Sequence, residues 1–113
     1  MMQIVEKNQG PKIAYEESGT RLFFGDDELM LNVAKYQRDW AVQVDICRNR
    51  DAQLVIGTGE GLYYVAQVDI PAIQYESLPE GAGQGDEPQA LPLAMEDGTL
   101  TLWSLNHFVL AEN

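Results

Sequence analysis

The fold is decided by the runs WAVQVDIC (residues 40–47) and LYYVAQVDI (residues 62–70). Each run alternates apolar and polar side chains with a period of two, which is typical of a β-strand with one buried face. Both runs contain the phrase Gln-Val-Asp-Ile, at residues 43–46 and again at residues 67–70. We therefore predict two strands in equivalent positions of a sheet, with the Val and Ile of each phrase facing the core.

The alternation also assigns the neighbouring side chains to a face. The predicted core face carries an aromatic residue and three smaller apolar residues in each run: Trp40, Val42, Val44 and Ile46, and Tyr64, Ala66, Val68 and Ile70. The opposite face carries Val65 together with four polar residues, which are Gln43, Asp45, Gln67 and Asp69. If the strands share a sheet in register, these four form a polar patch. Two carboxylates held close together raise each other's pKa, which suits an acid–base, ligand or cation site, whereas a solvated sheet face gives the same pattern without a site.

Strand-like runs continue along the chain at a spacing of roughly ten residues. We predict strands at residues 3–7 and 53–56, a hairpin over residues 12–24 and an edge strand at residues 72–78. A second hairpin is expected around Glu96-Asp97-Gly98, because Asp-Gly favours a two-residue turn. The pattern predicts an all-β fold, either an antiparallel sandwich or a small, partly open barrel of about eight short strands.

One segment, residues 28–37, fits two structures. As a strand it places Leu29, Leu31 and Val33 on one face. As a helix it begins with acidic residues and ends with Lys35 and Arg38, which suits the helix dipole. We predict a strand, because the flanking segments are strands and sequential strands tend to pair. The alternative is an α+β fold with one helix near residues 27–38.

The length of 113 residues predicts a single domain, 1–113, that buries enough surface to fold without a disulfide or a metal. Near residues 79–92 the chain is rich in glycine and acidic residues, which predicts a flexible loop. Cys47 is the only cysteine, and the first ten residues lack the pattern of a secretory signal. We therefore expect a cytoplasmic protein.

The net charge of −11 is distributed unevenly. Residues 1–50 hold all 7 basic and 8 acidic residues, for a sum of −1, whereas residues 51–113 hold 10 acidic residues and no Lys or Arg, for a sum of −10. Such a surface repels nucleic-acid phosphates and anionic lipids, so we expect neither as a partner. The negative charge fits a protein that binds a basic protein surface. A surface charge whose only role is solubility gives the same composition.

Known catalytic and cofactor-binding patterns are missing from the sequence. His107 is the only histidine, and with one cysteine the chain lacks a ligand set for zinc, so no metal or cofactor is expected. The glycine-rich run 57–61 has no lysine and leads into a predicted strand, unlike a phosphate-binding loop, which opens a helix. These absences favour a non-enzymatic protein.

Aromatic residues on the predicted polar faces indicate where the chain contacts a partner. Tyr63 and Trp103 lie opposite the apolar residues of their strands and are the predicted interface residues.

Our first hypothesis is a small acidic module for protein–protein interaction, either a homo-oligomer or the partner of a basic surface. The second is a small-molecule- or cation-binding β-domain, or an enzyme, that uses the face around Asp45 and Asp69. The third is a structural subunit of a larger assembly.

Overall fold

The computed structural model describes residues 1–59, 61, 63–76 and 88–105. Within these residues the elements, in chain order, are β1 (Gln3–Glu6), β2 (Tyr15–Ser18), β3 (Arg21–Phe24), β4 (Leu29–Asn32), α1 (Val33–Tyr36), β5 (Val42–Arg48), β6 (Leu54–Ile56), β7 (Tyr63–Ile70), a 3-10 turn (Met95–Asp97) and β8 (Thr99–Leu102). Sheet A has the strand order β1-β8-β7-β5-β6, and sheet B has the order β2-β3-β4. The predicted all-β fold of about eight short strands is confirmed.

The two sheets share one hydrophobic core. Sheet B contributes Leu22, Phe24 and Leu31, all essentially inaccessible to water. Sheet A contributes the buried faces of its central strands, with Val44, Ile46, Val65, Ala66, Val68, Ile70, Leu100 and Leu102. Because neither sheet can bury its apolar face alone, the core forms between them, as in a sandwich.

Sheet B is a meander built on two tight turns. Gly19 and Thr20 connect β2 to β3, and the turn from β3 to β4 contains Gly25 and Asp27 at φ +70° and +57°. Glycine and aspartate tolerate this left-handed conformation better than most residues. Residues 28–37 then divide into β4 and a single helical turn, so the helix is confined to Val33–Tyr36.

One strand pair is parallel, where we predicted an antiparallel arrangement. β1 runs parallel to β8, with Gln3 opposite Thr99 and Glu6 opposite Leu102. A parallel pair requires a long connection. Here the partners come from the two ends of the described chain, so the rest of the domain supplies that connection.

A β-bulge in β7 overturns three of the predicted face assignments, those of Tyr63, Tyr64 and Val65. Ile46 pairs with Ala66, but Cys47 pairs with Tyr64, so Val65 is an extra residue in the ladder. An extra residue shifts the alternation by one position. Val65 is consequently buried in the core, although the alternation placed it outside, and Tyr64 is displaced to the outer face, where it stacks on Trp103.

The prediction that Trp40 lies in the core is also wrong. Its side chain is 65% exposed, and β5 begins only at Val42, which pairs with Ile70. The segment before Val42 lies outside the ladder. It is held instead by a backbone hydrogen bond, in which the Ile73 N–H donates to the Arg38 carbonyl oxygen over 2.8 Å. Alternation along a strand says nothing about a residue that lies before the ladder begins.

The hairpin predicted at Glu96-Asp97-Gly98 is absent from the described structure. The N–H groups of Asp97 and Gly98 donate to the carbonyl oxygens of Ala94 and Met95, which closes a 3-10 turn, and β8 follows. Gly98 has φ −97°, whereas the Asp-Gly hairpin turn needs positive φ at both central residues. Asp97 and Gly98 instead lead from the 3-10 turn into β8, which pairs with β1 and β7.

The predicted flexible loop near 79–92 is described only in part, because residues 79–87 lie outside the described residues. The remainder is fixed to the segment before it. The Leu91 N–H donates to the Gln74 oxygen over 2.7 Å, and the Glu76 N–H donates to the Gln89 oxygen over 3.0 Å. The edge strand predicted at 72–78 is reduced, over its described residues 72–76, to one bridge between Tyr75 and Ala90.

Candidate functional site

The two Gln-Val-Asp-Ile phrases lie side by side in the centre of sheet A. β5 and β7 are antiparallel neighbours, with Gln43 opposite Asp69 and Asp45 opposite Gln67. The structure therefore brings together the four polar residues that the sequence singled out. Between them, Val44 faces Val68 on the buried side.

Each aspartate of this patch is paired with a glutamine. The Gln43 amide donates to the Asp69 carboxylate over 3.0 Å, and the Gln67 amide donates to the Asp45 carboxylate over 2.8 Å. An antiparallel register places an amide, not a second carboxylate, opposite each aspartate. Cross-strand pairs of this kind stabilise a sheet by about 0.2–1 kcal/mol each. The patch thus has a structural role, and its use as a binding site stays a prediction.

A small surface depression adjoins one end of the patch. Its volume is about 230 Å³, and it is lined by Ala41, Val42, Gln43, Asp69, Ile70, Pro71 and Asp97. Ligand sites usually occupy about 300–1,000 Å³. The depression is below that range, and the Gln43 amide on its wall already donates to Asp69.

The two predicted interface residues differ in burial. Tyr63 is half-buried at the start of β7 and packs against the core, not on the outer face as predicted, and its interface role stays a prediction. Trp103 is only 6% exposed, and its ring stacks on Tyr64 with centroids 5.1 Å apart and an interplanar angle of 22°. The burial and the stacking give Trp103 a packing role on the outer side of sheet A.

A different surface, the outer face of sheet B, combines apolar and acidic side chains. The register sets Glu16 of β2, Phe23 of β3 and Met30 of β4 side by side across the sheet. Phe23 is half-buried, and Met30 is 49% exposed. We call this row, together with the turn residues Asp26 and Asp27, the Phe23 face.

Three surface depressions meet at Phe23. The largest, of about 520 Å³, is lined in part by Tyr15, Glu16, Asp26 and Asp27. The second, of about 290 Å³, lies towards Arg21 and Asn32, and the third, of about 220 Å³, lies towards Glu28 and Met30. Phe23 is therefore a central apolar contact with concave, mainly acidic surroundings.

Only some of the acids near Phe23 are neutralised. Both carboxylate oxygens of Glu28 accept hydrogen bonds from the Arg48 guanidinium, over 2.5 and 3.1 Å. This bond lowers the pKa of Glu28 and raises that of Arg48, and it ties the β3–β4 turn to sheet A. Glu16, Asp26 and Asp27 form no ion pair within the described residues. Their negative charge is available to a partner.

A third exposed cluster contains Trp40, Tyr75 and Leu91. The Tyr75 hydroxyl donates to the Asp39 carboxylate, and this bond raises the pKa of Tyr75. Leu91 is held near Tyr75 by its backbone bond to Gln74. The cluster has both signs of charge beside it, with Arg38 and Asp39 exposed next to Trp40. The Phe23 face is more one-sided in charge, with Glu16, Asp26 and Asp27 on it against the single basic residue Arg21.

The described residues contain no group of three His, Cys, Asp or Glu side chains placed to hold a metal ion. Their buried side-chain nitrogen and oxygen atoms all have hydrogen-bond partners. Over the same part of the chain, no helix has the length and apolar character needed to cross a membrane. His107 lies outside the described residues.

Cys47 is inaccessible to water, and burial, with a smaller effect of the nearby Asp45 charge, raises its pKa from 9.0 to about 11. We expect the folded protein to resist thiol reagents at neutral pH, since the thiolate is the reactive form.

The unfolded Cys47 thiol ionises near pH 9 and the folded one near pH 11, so this group's contribution to the stability of the fold is constant below pH 9. It is lost as the pH rises from about 9 to about 11, by roughly 2–3 kcal/mol. Urea unfolding across this range checks the slope, which is expected to be shallower in Cys47→Ala; an identical slope in both proteins would contradict the assignment.

Comparison with protein-family models, with curated proteins and with solved structures found no match. The functional conclusion therefore depends on the chain's own geometry. The sequence identified the paired polar patch through its repeated phrase. It gave no signal for the Phe23 face, because Phe23 and Phe24 are adjacent and identical, and only the complete burial of Phe24 shows that Phe23 points outward.

Proposed function

We propose that the protein acts without catalysis, by binding a basic protein surface through the Phe23 face. The observation that carries the proposal is the placement of a half-buried Phe23 and an exposed Met30 among acids that have no partner of their own among the described residues. Interfaces concentrate their energy in a central, well-packed apolar or aromatic contact surrounded by polar groups that exclude water. The Phe23 face has this composition.

The net charge of the chain supports the choice of a basic partner. At −11, the protein attracts cationic surfaces over distances limited by ionic screening, and such attraction speeds association. Glu16, Asp26 and Asp27 then provide short-range contacts for Lys or Arg side chains around Phe23. Because the attraction is electrostatic, binding weakens as salt is added.

Titration with short peptides of defined charge tests the proposal. The probes are peptides of alternating Lys or Arg and Leu, with Glu-Leu peptides as the opposite charge. We expect the basic peptides alone to perturb the NMR signals of β2, β3 and β4. Phe23→Ala is expected to weaken this binding by about tenfold or more, as for an interface hot spot.

A pair of double variants separates a specific face from general attraction to negative charge. Asp26→Asn with Asp27→Asn removes two charges from the Phe23 face, and asparagine tolerates the left-handed backbone at Asp27. Asp45→Asn with Asp69→Asn removes two charges from the other sheet. Only the first double variant is expected to weaken peptide binding strongly. Equal losses in both, or no binding of any basic peptide, would refute the proposal.

A further inference from the structure

We propose that two copies of the chain associate by pairing their β1 strands in an antiparallel arrangement across a two-fold axis. β1 lies at an edge of sheet A, beside β8, and no strand of the described chain lies beyond it. All four of its residues are exposed, including the apolar Ile4 at 37% and Val5 at 45%. An exposed apolar edge strand is a template for another strand.

The backbone of β1 has its free groups in a defined order. The Gln3 N–H donates to the Gly98 oxygen over 3.0 Å, and the Lys7 N–H donates to the Leu102 oxygen over 2.8 Å. In a parallel ladder, alternate residues bond to the same neighbour, so Gln3, Val5 and Lys7 face β8. The N–H and C=O groups of Ile4 and Glu6 consequently point away from sheet A, towards any added strand.

A second copy of β1 fits these free groups in one register. With the two-fold axis at Val5, Ile4 of each copy meets Glu6 of the other, and both residues exchange N–H···O bonds. The two Val5 side chains then meet, Gln3 lies opposite Lys7, and no like charges are directly opposed. Centring the pair on Glu6 would oppose two carboxylates. Centring it on Ile4 would require the Met2 N–H, which already donates to Glu17 over 2.9 Å.

Other sheet edges are less suited to self-pairing. β6, at the opposite edge of sheet A, has only three residues. β2, at an edge of sheet B, carries Glu16 and Glu17 in sequence, so a second copy of it would bring several carboxylates together. β4, the other edge of sheet B, has only one exposed residue of four, whereas all four residues of β1 are exposed. These differences favour β1 as the edge at which two copies meet.

The charge of the chain gives this dimer a distinctive dependence on salt. Two bodies of charge −11 repel each other, so screening favours their association. Binding of a basic partner at the Phe23 face has the opposite dependence. The dimer is independent of that proposed function, and each can fail while the other holds.

Native mass spectrometry and light scattering across a range of protein concentrations test the dimer, at about 0.05 and about 0.5 M salt, where the screening length differs severalfold. We expect a concentration-dependent dimer that is tighter at the higher salt. Val5→Lys is expected to raise its dissociation constant by about tenfold or more, because lysine on an edge strand opposes pairing. Ile56→Lys on β6 is the matched control and is expected to leave the dimer unchanged.

Ile4→Pro provides a second variant with a different mechanism. Proline lacks the N–H that points away from β8, and an edge strand tolerates proline at such a position. Thermal unfolding shows that each variant retains its fold before its mass is measured. A wild-type protein that stays monomeric at every concentration and salt, or a dimer that survives both Val5→Lys and Ile4→Pro, would overturn the proposal. In either case the peptide titration of the Phe23 face reports separately on the proposed function.

Discussion

Val65→Asp is expected to lower the free energy of unfolding by more than about 4 kcal/mol, which is a large part of the roughly 5–15 kcal/mol that stabilises a domain of ordinary size. The bulge in β7 directs Val65 into the core, where it is inaccessible to water. A carboxylate there loses its hydration and gains no partner. Urea unfolding, followed by tryptophan fluorescence and circular dichroism, measures the loss.

Val5→Asp is the matched control, because it makes the same chemical change on the exposed edge strand β1. We expect it to change the stability of the monomer by less than about 1 kcal/mol. The comparison also tests the bulge itself. In a strand with unbroken alternation Val65 would lie outside with Gln67, and the two substitutions would then cost similar amounts, contrary to the structure.

Phe24→Ala is expected to cost about 3–5 kcal/mol, the usual range for removing a buried phenylalanine ring. Phe24 lies between Tyr15 and Leu29 in sheet B and is fully buried in the core shared by the sheets. Its loss leaves a cavity and removes contacts between the two layers. Chemical denaturation with a fitted unfolding midpoint and slope gives the change in stability.

Phe23→Ala is the natural comparison, since the neighbouring ring points away from the core. We expect it to cost much less stability than Phe24→Ala while removing the proposed binding of basic peptides. The adjacent residues thus separate folding from binding within one strand. A large loss of stability in Phe23→Ala would show that its ring belongs to the core and would remove it as an interface contact.

The fold class and most strands could be predicted because they depend on local patterns. Period-two alternation located the central strands, and turn residues located the hairpin of β2 and β3. The convergence of Gln43, Asp45, Gln67 and Asp69 was also open to prediction, since two strands of equal pattern tend to occupy similar positions. The parity of their side chains then places the four on one face.

Features that depend on distant residues could not be predicted from the same patterns. The bulge at Val65 arises from how β7 fits β5, and the parallel pairing of β1 with β8 joins segments almost a full chain apart. Trp40 matched the alternation but precedes the first ladder pair. The Phe23 face had no signature, because a short strand of apolar residues does not reveal which side meets the other sheet.

The reciprocal pairing of the two Gln-Val-Asp segments has a consequence for assembly. With Gln43 on Asp69, Val44 on Val68 and Asp45 on Gln67, the pairing is palindromic, and it is the same when viewed from either strand. A β5 strand that met β5 of another copy, centred on Val44, would form the same three pairs, so the side chains of these pairs do not distinguish the correct partner. Effective concentration makes the distinction, because the connection between β5 and β7 holds them at about millimolar local concentration. Refolding from dilute solution therefore favours β5–β7 pairing within one chain. Refolding near that concentration allows β5 strands of different copies to compete with it.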